Sequence, residues 1–118
     1  MVVVLGASPR PDRYAFRAMK MLTDYGHTVI PVNPAYEEVL GLKCFRSVAD
    51  VTDPIGTITL YLGKARSDPL IQEIVSKKPQ RIIMNPGAEN ENLTLAAREQ
   101  GIEVIEGCTL VMLSVGTF

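Results

Sequence analysis

Val2-Val3-Val4-Leu5-Gly6-Ala7-Ser8-Pro9-Arg10-Pro11-Asp12-Arg13 is the stretch on which the reading of this chain turns. Its first part is a continuous apolar, mostly β-branched run, the pattern of a strand buried on both faces. Gly6 and the two prolines end that strand in a turn. Beyond the turn the period changes: Ala15, Ala18, Met19, Leu22 and Tyr25 recur at helical spacing and predict one buried helix face. Gly26 stands where a helix C-terminal glycine belongs. Thr28 to Val32 reads as a second strand, stopped by Asn33-Pro34. Strand, glycine turn, amphipathic helix and strand make a parallel β-α-β unit.

The same alternation continues outward. Residues 35–56 are irregular, with Gly41 turning the chain between short extended pieces near Val39-Leu40 and Lys43-Phe45, and with Ser47-x-x-Asp50 patterned as one capped turn. Thr57 to Leu62 predicts a third main strand. Ser67-Asp68-Pro69 predicts a helix start with Leu70, Ile71, Ile74 and Val75 facing inward, and Pro79 bars its continuation. Arg81 to Met84 predicts a fourth strand. Asn90 caps a helix that turns Leu93, Ala96 and Ala97 inward and closes at Gly101. Ile102 to Glu106 alternates polar and apolar residues, as a strand near a sheet edge does. Cys108 to Leu113 is apolar and fits either a short helix or a strand. The expected fold is a doubly wound parallel α/β sheet of about five strands with helices on both faces, in one domain over residues 1–118. The expected strand order is 3-2-1-4-5, with a flavodoxin-like order as the alternative.

Composition narrows the function. A net charge of −1 and a pI of about 5.8 leave no basic surplus for non-specific nucleic-acid binding. No apolar run approaches the roughly 18 residues of a membrane span. Met1 to Leu5 is too short and lacks the basic flank of a signal peptide. Cys44 and Cys108 form no C-x-x-C pair, and the expected setting is a reducing cytoplasm.

Doubly wound sheets bind ligands beyond the carboxyl ends of their strands, where strand order reverses. That rule selects four loops: Gly6 to Arg13, Val32 to Ala35, Tyr61 to Arg66 and Asn85 to Ala88. In the first, Gly6 allows close approach of a ligand to the backbone, Ser8 offers a hydroxyl, and the following helix aims its N-terminus at the same place. Arg10 and Arg13 add charge and paired donors, so the loop reads as a phosphate site. The dinucleotide fingerprint G-x-G-x-x-G is absent, and the second strand ends in Asn33-Pro34 without a carboxylate, which disfavours NAD. Asn33-Pro34 and Asn85-Pro86-Gly87 form rigid edges on either side of the expected crevice. Tyr14 and Tyr61 have two readings, ligand contact or helix-to-sheet packing.

Taken together, Val4 to Tyr14, Gly26 to Pro34 with Val39-Leu40-Gly41, and Asn85 to Asn90 followed by Ala97 to Ile102 and Cys108 resemble a known family. It is that of the small CoA-binding proteins similar to the CoA-binding domain of succinate–CoA ligase α subunits. The resemblance covers essentially the whole chain. It implies a Rossmann-like fold and coenzyme A as cofactor. It implies that the loop of Gly6, Ala7, Ser8 and Pro9, with Arg13, holds the CoA phosphates, and Arg10 and Tyr14 beside it complete the cofactor-binding candidates of this loop. Val32, Asn33 and Pro34 would lie near the adenosine, and Leu62, Gly63, Asn85, Pro86 and Gly87 along the pantetheine path or its wall.

No catalytic constellation is visible. The related ligases use a phosphorylated histidine on a separate domain, whereas the one histidine here, His27, falls at the amino end of the second strand, opposite the ligand side. One histidine makes neither a triad nor a metal site. Glu89 and Glu91 suit a helix start better than acid–base work. The expectation is a non-catalytic CoA or acyl-CoA binding module, a sensor or a subunit of a larger assembly, with a homodimer as one form of partner. An NAD(P)-binding or other nucleotide-binding redox module, and a small thiol-dependent acyl-CoA enzyme using Cys108, are the alternatives.

Overall fold

The computed structural model describes residues 1–118. Its centre is β1 (Val2–Leu5), every residue of which is buried. β2 (Val29–Val32) pairs with it in parallel, Val2 beside Val29 and Leu5 beside Val32. On the other side β5 (Thr57–Leu60) aligns Thr57 with Val2 and Leu60 with Leu5. β6 (Arg81–Met84) and β7 (Glu103–Glu106) extend the sheet, again in parallel. Between β2 and β5 lies a small antiparallel hairpin, β3 (Glu38–Val39) with β4 (Leu42–Lys43), and a 3₁₀ turn at Val48–Asp50 whose Ala49 N–H is capped by the Ser47 hydroxyl.

Alternation along the strands separates two apolar layers. Val3, Leu5, Ile58, Leu60, Ile82 and Met84 share one face with Ile74, Leu93 and Ala97. These last come from α3 (Ile71–Ser76) and α4 (Glu91–Glu99). Val2 and Val4 point the other way, onto Met19 and Leu22 of α1 (Tyr14–Asp24) and Leu113 of α5 (Thr109–Val115). A sheet covered on both faces explains why β1 is apolar throughout and why the threonines of β5 are buried with the rest of that strand.

The expected strand order does not hold. The sheet runs β2-β1-β5-β6-β7, so the five strands taken in chain order stand 2-1-3-4-5, the flavodoxin-like alternative, rather than 3-2-1-4-5. The cause is visible at the outer edge of β2. Phe45 bridges Val32 in parallel: its N–H donates to the Pro31 carbonyl at 3.0 Å and its carbonyl accepts from Asn33 N–H at 2.9 Å. Pro31 therefore turns its donor-less nitrogen outward, where a further full strand would need an N–H. The edge is closed by one bridge, and β5 pairs with the free side of β1 instead.

Smaller expectations are corrected or settled. The helix after β5 begins a turn before Ser67, with α2 (Lys64–Ser67) capped by Gly63. Pro69 cannot donate into an α-helical ladder, so a 3₁₀ turn at Asp68–Leu70 separates α2 from α3. Ser67 is buried and bonded rather than capping. The apolar tail is the helix α5, with Thr109 and Leu113 buried. Tyr25, expected on the inner face of α1, is 54% exposed because it follows the last helical residue.

Candidate functional site

Strand order reverses between β1 and β5, so the crevice opens beyond Leu5 and Leu60. Gly6 leaves β1 at φ +95°, and its N–H and that of Ala7 both donate to the Val32 carbonyl, at 2.9 and 3.3 Å. A Cβ on Gly6 would stand 3.0 Å from Leu62 Cδ2 and 3.2 Å from the Tyr61 carbonyl carbon. Only glycine fits both the dihedral and the space. Ser8 accepts from Arg10 N–H at 3.2 Å, and Arg13 N–H donates to the Arg10 carbonyl at 3.1 Å, bending the loop into the start of α1. No side chain caps α1, and its first turn contains no acidic residue. Its free amides and partial positive charge face the crevice undiminished.

Around this point the crevice has three contiguous lobes. The first, of about 280 Å³, collects Arg10, Arg13 and Arg66 beside Gly6 and Ser8, and no carboxylate lines it. The chain's one ion pair is Lys64–Asp68, so all three guanidinium groups are unpaired. The second lobe, of about 250 Å³, lies over Val32 and Pro34 and adds Arg46. Its wall is braced by the Ser47 hydroxyl, which donates to Glu73 Oε2 at 2.8 Å. The third, of about 210 Å³, runs past Tyr14, Tyr61 and Pro86 to Cys108 and Leu110.

Two expected contact residues also serve as braces. Asn33 donates through Nδ2 to the Ala7 carbonyl at 2.8 Å and accepts at Oδ1 from Ala35 N–H at 2.9 Å. Asn85 donates to Thr59 Oγ1 at 2.7 Å and to the Leu60 carbonyl at 3.0 Å, and accepts from Thr109 N–H at 2.8 Å. Both line lobes, and their amides also tie together the segments that follow the strands. Leu62 separates the first two lobes and lines both. Ala7 is fully buried, and neither it nor Pro9, Gly63 or Gly87 lines any of the three lobes. Gly87 N–H donates to Glu89 Oε1 at 3.0 Å, and Asn90 caps α4 by accepting from Leu93 N–H.

Arg66, Arg46 and Tyr36 were not singled out as site residues, and the structure brings all three to the crevice. Arg66 belongs to a loop that the carboxyl-end rule had selected, so its charge was the available signal. Arg46 and Tyr36 lie in the irregular segment, where no periodicity orients a side chain.

The Tyr61 hydroxyl is buried and has no hydrogen-bond partner in the chain. The nearby Thr59 and Thr109 hydroxyls are engaged with each other at 2.7 Å. Burial pushes the phenol up to about 12, against weaker opposing effects of those two hydroxyls, and the neighbouring Cys108 adds to the rise. A buried polar atom left unpaired costs about 1–3 kcal/mol. Cys44 is buried elsewhere, with Sγ against the Asn33 carbonyl at 3.5 Å, and burial raises its thiol. His27 packs edge-on to Phe118, with ring centroids 5.1 Å apart, away from the crevice.

A doubly wound parallel sheet with a glycine turn, an uncapped helix and unpaired arginines at its switch point is a Rossmann-like α/β domain. The chain belongs to the CoA-binding domain family, whose sequence profile matches residues 1–114. It is 29% identical over 104 residues to the uncharacterized protein YneT of Bacillus subtilis, covering 88% of this chain and 77% of that one. It is 38% identical over 108 residues to ADP-forming acetate–CoA ligase I of Archaeoglobus fulgidus, covering 90% of this chain but 16% of the ligase. A crystal structure of an uncharacterized protein superimposes with a TM-score of 0.94 at 44% identity, covering 99% of this chain and 96% of that one. No helix is long and apolar enough to cross a membrane.

Proposed function

We propose that residues 1–118 act as one domain that binds coenzyme A or an acyl-CoA in this crevice and carries out no catalysis of its own. The observation that carries the reading is the set of three unpaired guanidinium groups, Arg10, Arg13 and Arg66, around the uncapped start of α1. Unpaired arginines beside a helix N-terminus favour phosphate oxygens. The adenosine would occupy the lobe over Val32 and Pro34, and the pantetheine would run past Leu62 and Pro86 toward Cys108. Membership of the family supports CoA over NAD(P), as does the single-glycine turn. The module would work in the cytoplasm as a sensor or as a subunit of a larger assembly, homodimeric or with a separate partner. The acetate–CoA ligases support the second role, since the matching segment there is a small part of a longer chain.

Thermal-shift titration with CoA, acetyl-CoA, NAD, NADP and ATP tests the reading. A ligand at about 100 times its dissociation constant adds roughly 2.7 kcal/mol to the folded state. A shift selective for CoA or its thioester is expected. A shift with NADP alone would replace the reading with a redox one. Acyl-CoA turnover that disappears in Cys108→Ala would overturn its non-catalytic part.

A further inference from the structure

Phosphate contact at the start of α1 leaves one arginine of the crevice without a role. Arg46 lines the second lobe and not the first, is exposed, and forms no ion pair. The backbone on either side of it is fixed. Phe45, before it, is bonded to the edge of β2 through the Pro31 carbonyl and the Asn33 N–H. Ser47, after it, donates through its hydroxyl to Glu73 Oε2 at 2.8 Å and accepts from Ala49 N–H at 3.1 Å. A free guanidinium is thus carried on an anchored segment at the rim of a lobe whose apolar walls include the buried Leu5, Val32 and Leu62. Gly6, Asn33, Leu62 and Arg66 line both lobes, so a nucleotide with its diphosphate at the start of α1 would bring its ribose to the junction between them.

Resting on the CoA reading, we propose that Arg46 binds the 3′-phosphate on the adenosine ribose of CoA, and so distinguishes CoA from nucleotides that share its diphosphate but lack that second phosphate group. The crevice presents cationic charge at two places, Arg10, Arg13 and Arg66 around α1 and Arg46 across the second lobe. CoA carries phosphate at two places, the diphosphate and the ribose monoester. The planar guanidinium offers paired donors to such a monoester. Glu73 is the one carboxylate of the second lobe, and it repels an anion, so a ribose phosphate is favoured on the Arg46 side and disfavoured at the α3 wall. No bond is made or broken; Arg46 selects.

Calorimetric titration of the full chain with CoA, dephospho-CoA and NADP tests this. CoA and dephospho-CoA differ only in the 3′-phosphate. CoA is expected to bind about tenfold more tightly, the lower range for a hydrogen bond to a charged group because Arg46 faces water. That ratio should shrink as ionic strength rises. In Arg46→Ala it should fall to about one, through weaker CoA binding with dephospho-CoA binding unchanged. The side chain is exposed, so its loss does not endanger folding. Arg98→Ala, which removes the same charge from the last turn of α4, should keep the tenfold ratio. Equal binding of CoA and dephospho-CoA to the unaltered protein would overturn the inference while leaving CoA binding standing. Equal weakening of both ligands in Arg46→Ala, or loss of the ratio in Arg98→Ala, would overturn it as well. NADP binding more tightly than CoA would place the monoester at the ribose 2′ position and overturn the 3′ assignment. Binding of neither CoA nor dephospho-CoA would overturn the CoA reading itself.

Discussion

Asn33 and Ala7, on the loops that follow β2 and β1, are joined by a 2.8 Å bond from Asn33 Nδ2 to the Ala7 carbonyl. Both residues are buried, at 8% and 0% exposure, so neither group has water as an alternative partner. The floor of the arginine lobe is thus held by a side chain that ties the two loops together. Asn33→Ala should lower stability by about 1–3 kcal/mol, the penalty for an orphaned buried acceptor. Urea denaturation should show an earlier midpoint with an unchanged slope. An unmoved midpoint would mean that the bond is dispensable.

Arg13 stands in the opposite position: it is exposed, unpaired and directed at the crevice. Arg13→Ala should leave the melting temperature unchanged, since an exposed charge contributes little to stability. Affinity for CoA should fall by about 1.5–3 kcal/mol if the guanidinium meets phosphate. Calorimetric titration at fixed ionic strength measures this directly, and undiminished affinity would remove Arg13 from the site.

Gly6→Val should damage both properties. The φ of +95° is strained for a β-branched residue, and the added Cβ meets Leu62 and the Tyr61 backbone. A loss of about 1–3 kcal/mol in stability is expected from the backbone alone. The branched side chain would also fill the space beside Ser8 and the start of α1. Circular dichroism melts paired with CoA titration separate the two effects, and binding retained by a folded variant would place the phosphate elsewhere.

Tyr61 makes stability depend on pH in the alkaline range. Its phenol is raised from 10.0 to about 12 by burial, so the folded state holds the proton that the unfolded chain has released. The neutral form's advantage is fully present below pH 10 and is lost as pH rises from 10 toward 12. The loss amounts to about 2–3 kcal/mol. Stability curves of the unaltered protein and Tyr61→Phe should run parallel up to pH 10 and diverge above it, with the variant the less sensitive. Parallel curves throughout would show that the phenol is not desolvated as the fold implies.

Much of this was legible in the chain because the signals were local. β1 declared itself as an unbroken apolar run, α1 through the spacing of Ala15, Ala18, Met19 and Leu22, and the cap at Asn90 through its place before an amphipathic stretch. The loops at the strand ends followed from the sheet type, and the arginine lobe formed where the carboxyl-end rule had put it. Pro31 held a sign of the true strand order, since a proline inside a strand marks an edge, but its meaning depends on which way its nitrogen points.

The amino-acid sequence by itself determined that the chain alternates buried strands with amphipathic helices and gathers glycine, serine and arginine at one turn, because backbone propensity and periodicity act over a few neighbouring residues. Only the tertiary structure decided that β5 lies beside β1, that Arg66 joins Arg10 and Arg13, that Asn33 and Asn85 brace the loops they stand on, and that the Tyr61 hydroxyl is left unpaired. Each of these depends on groups distant in the chain meeting in space, where competition for a sheet edge or a hydrogen-bond partner is settled by packing.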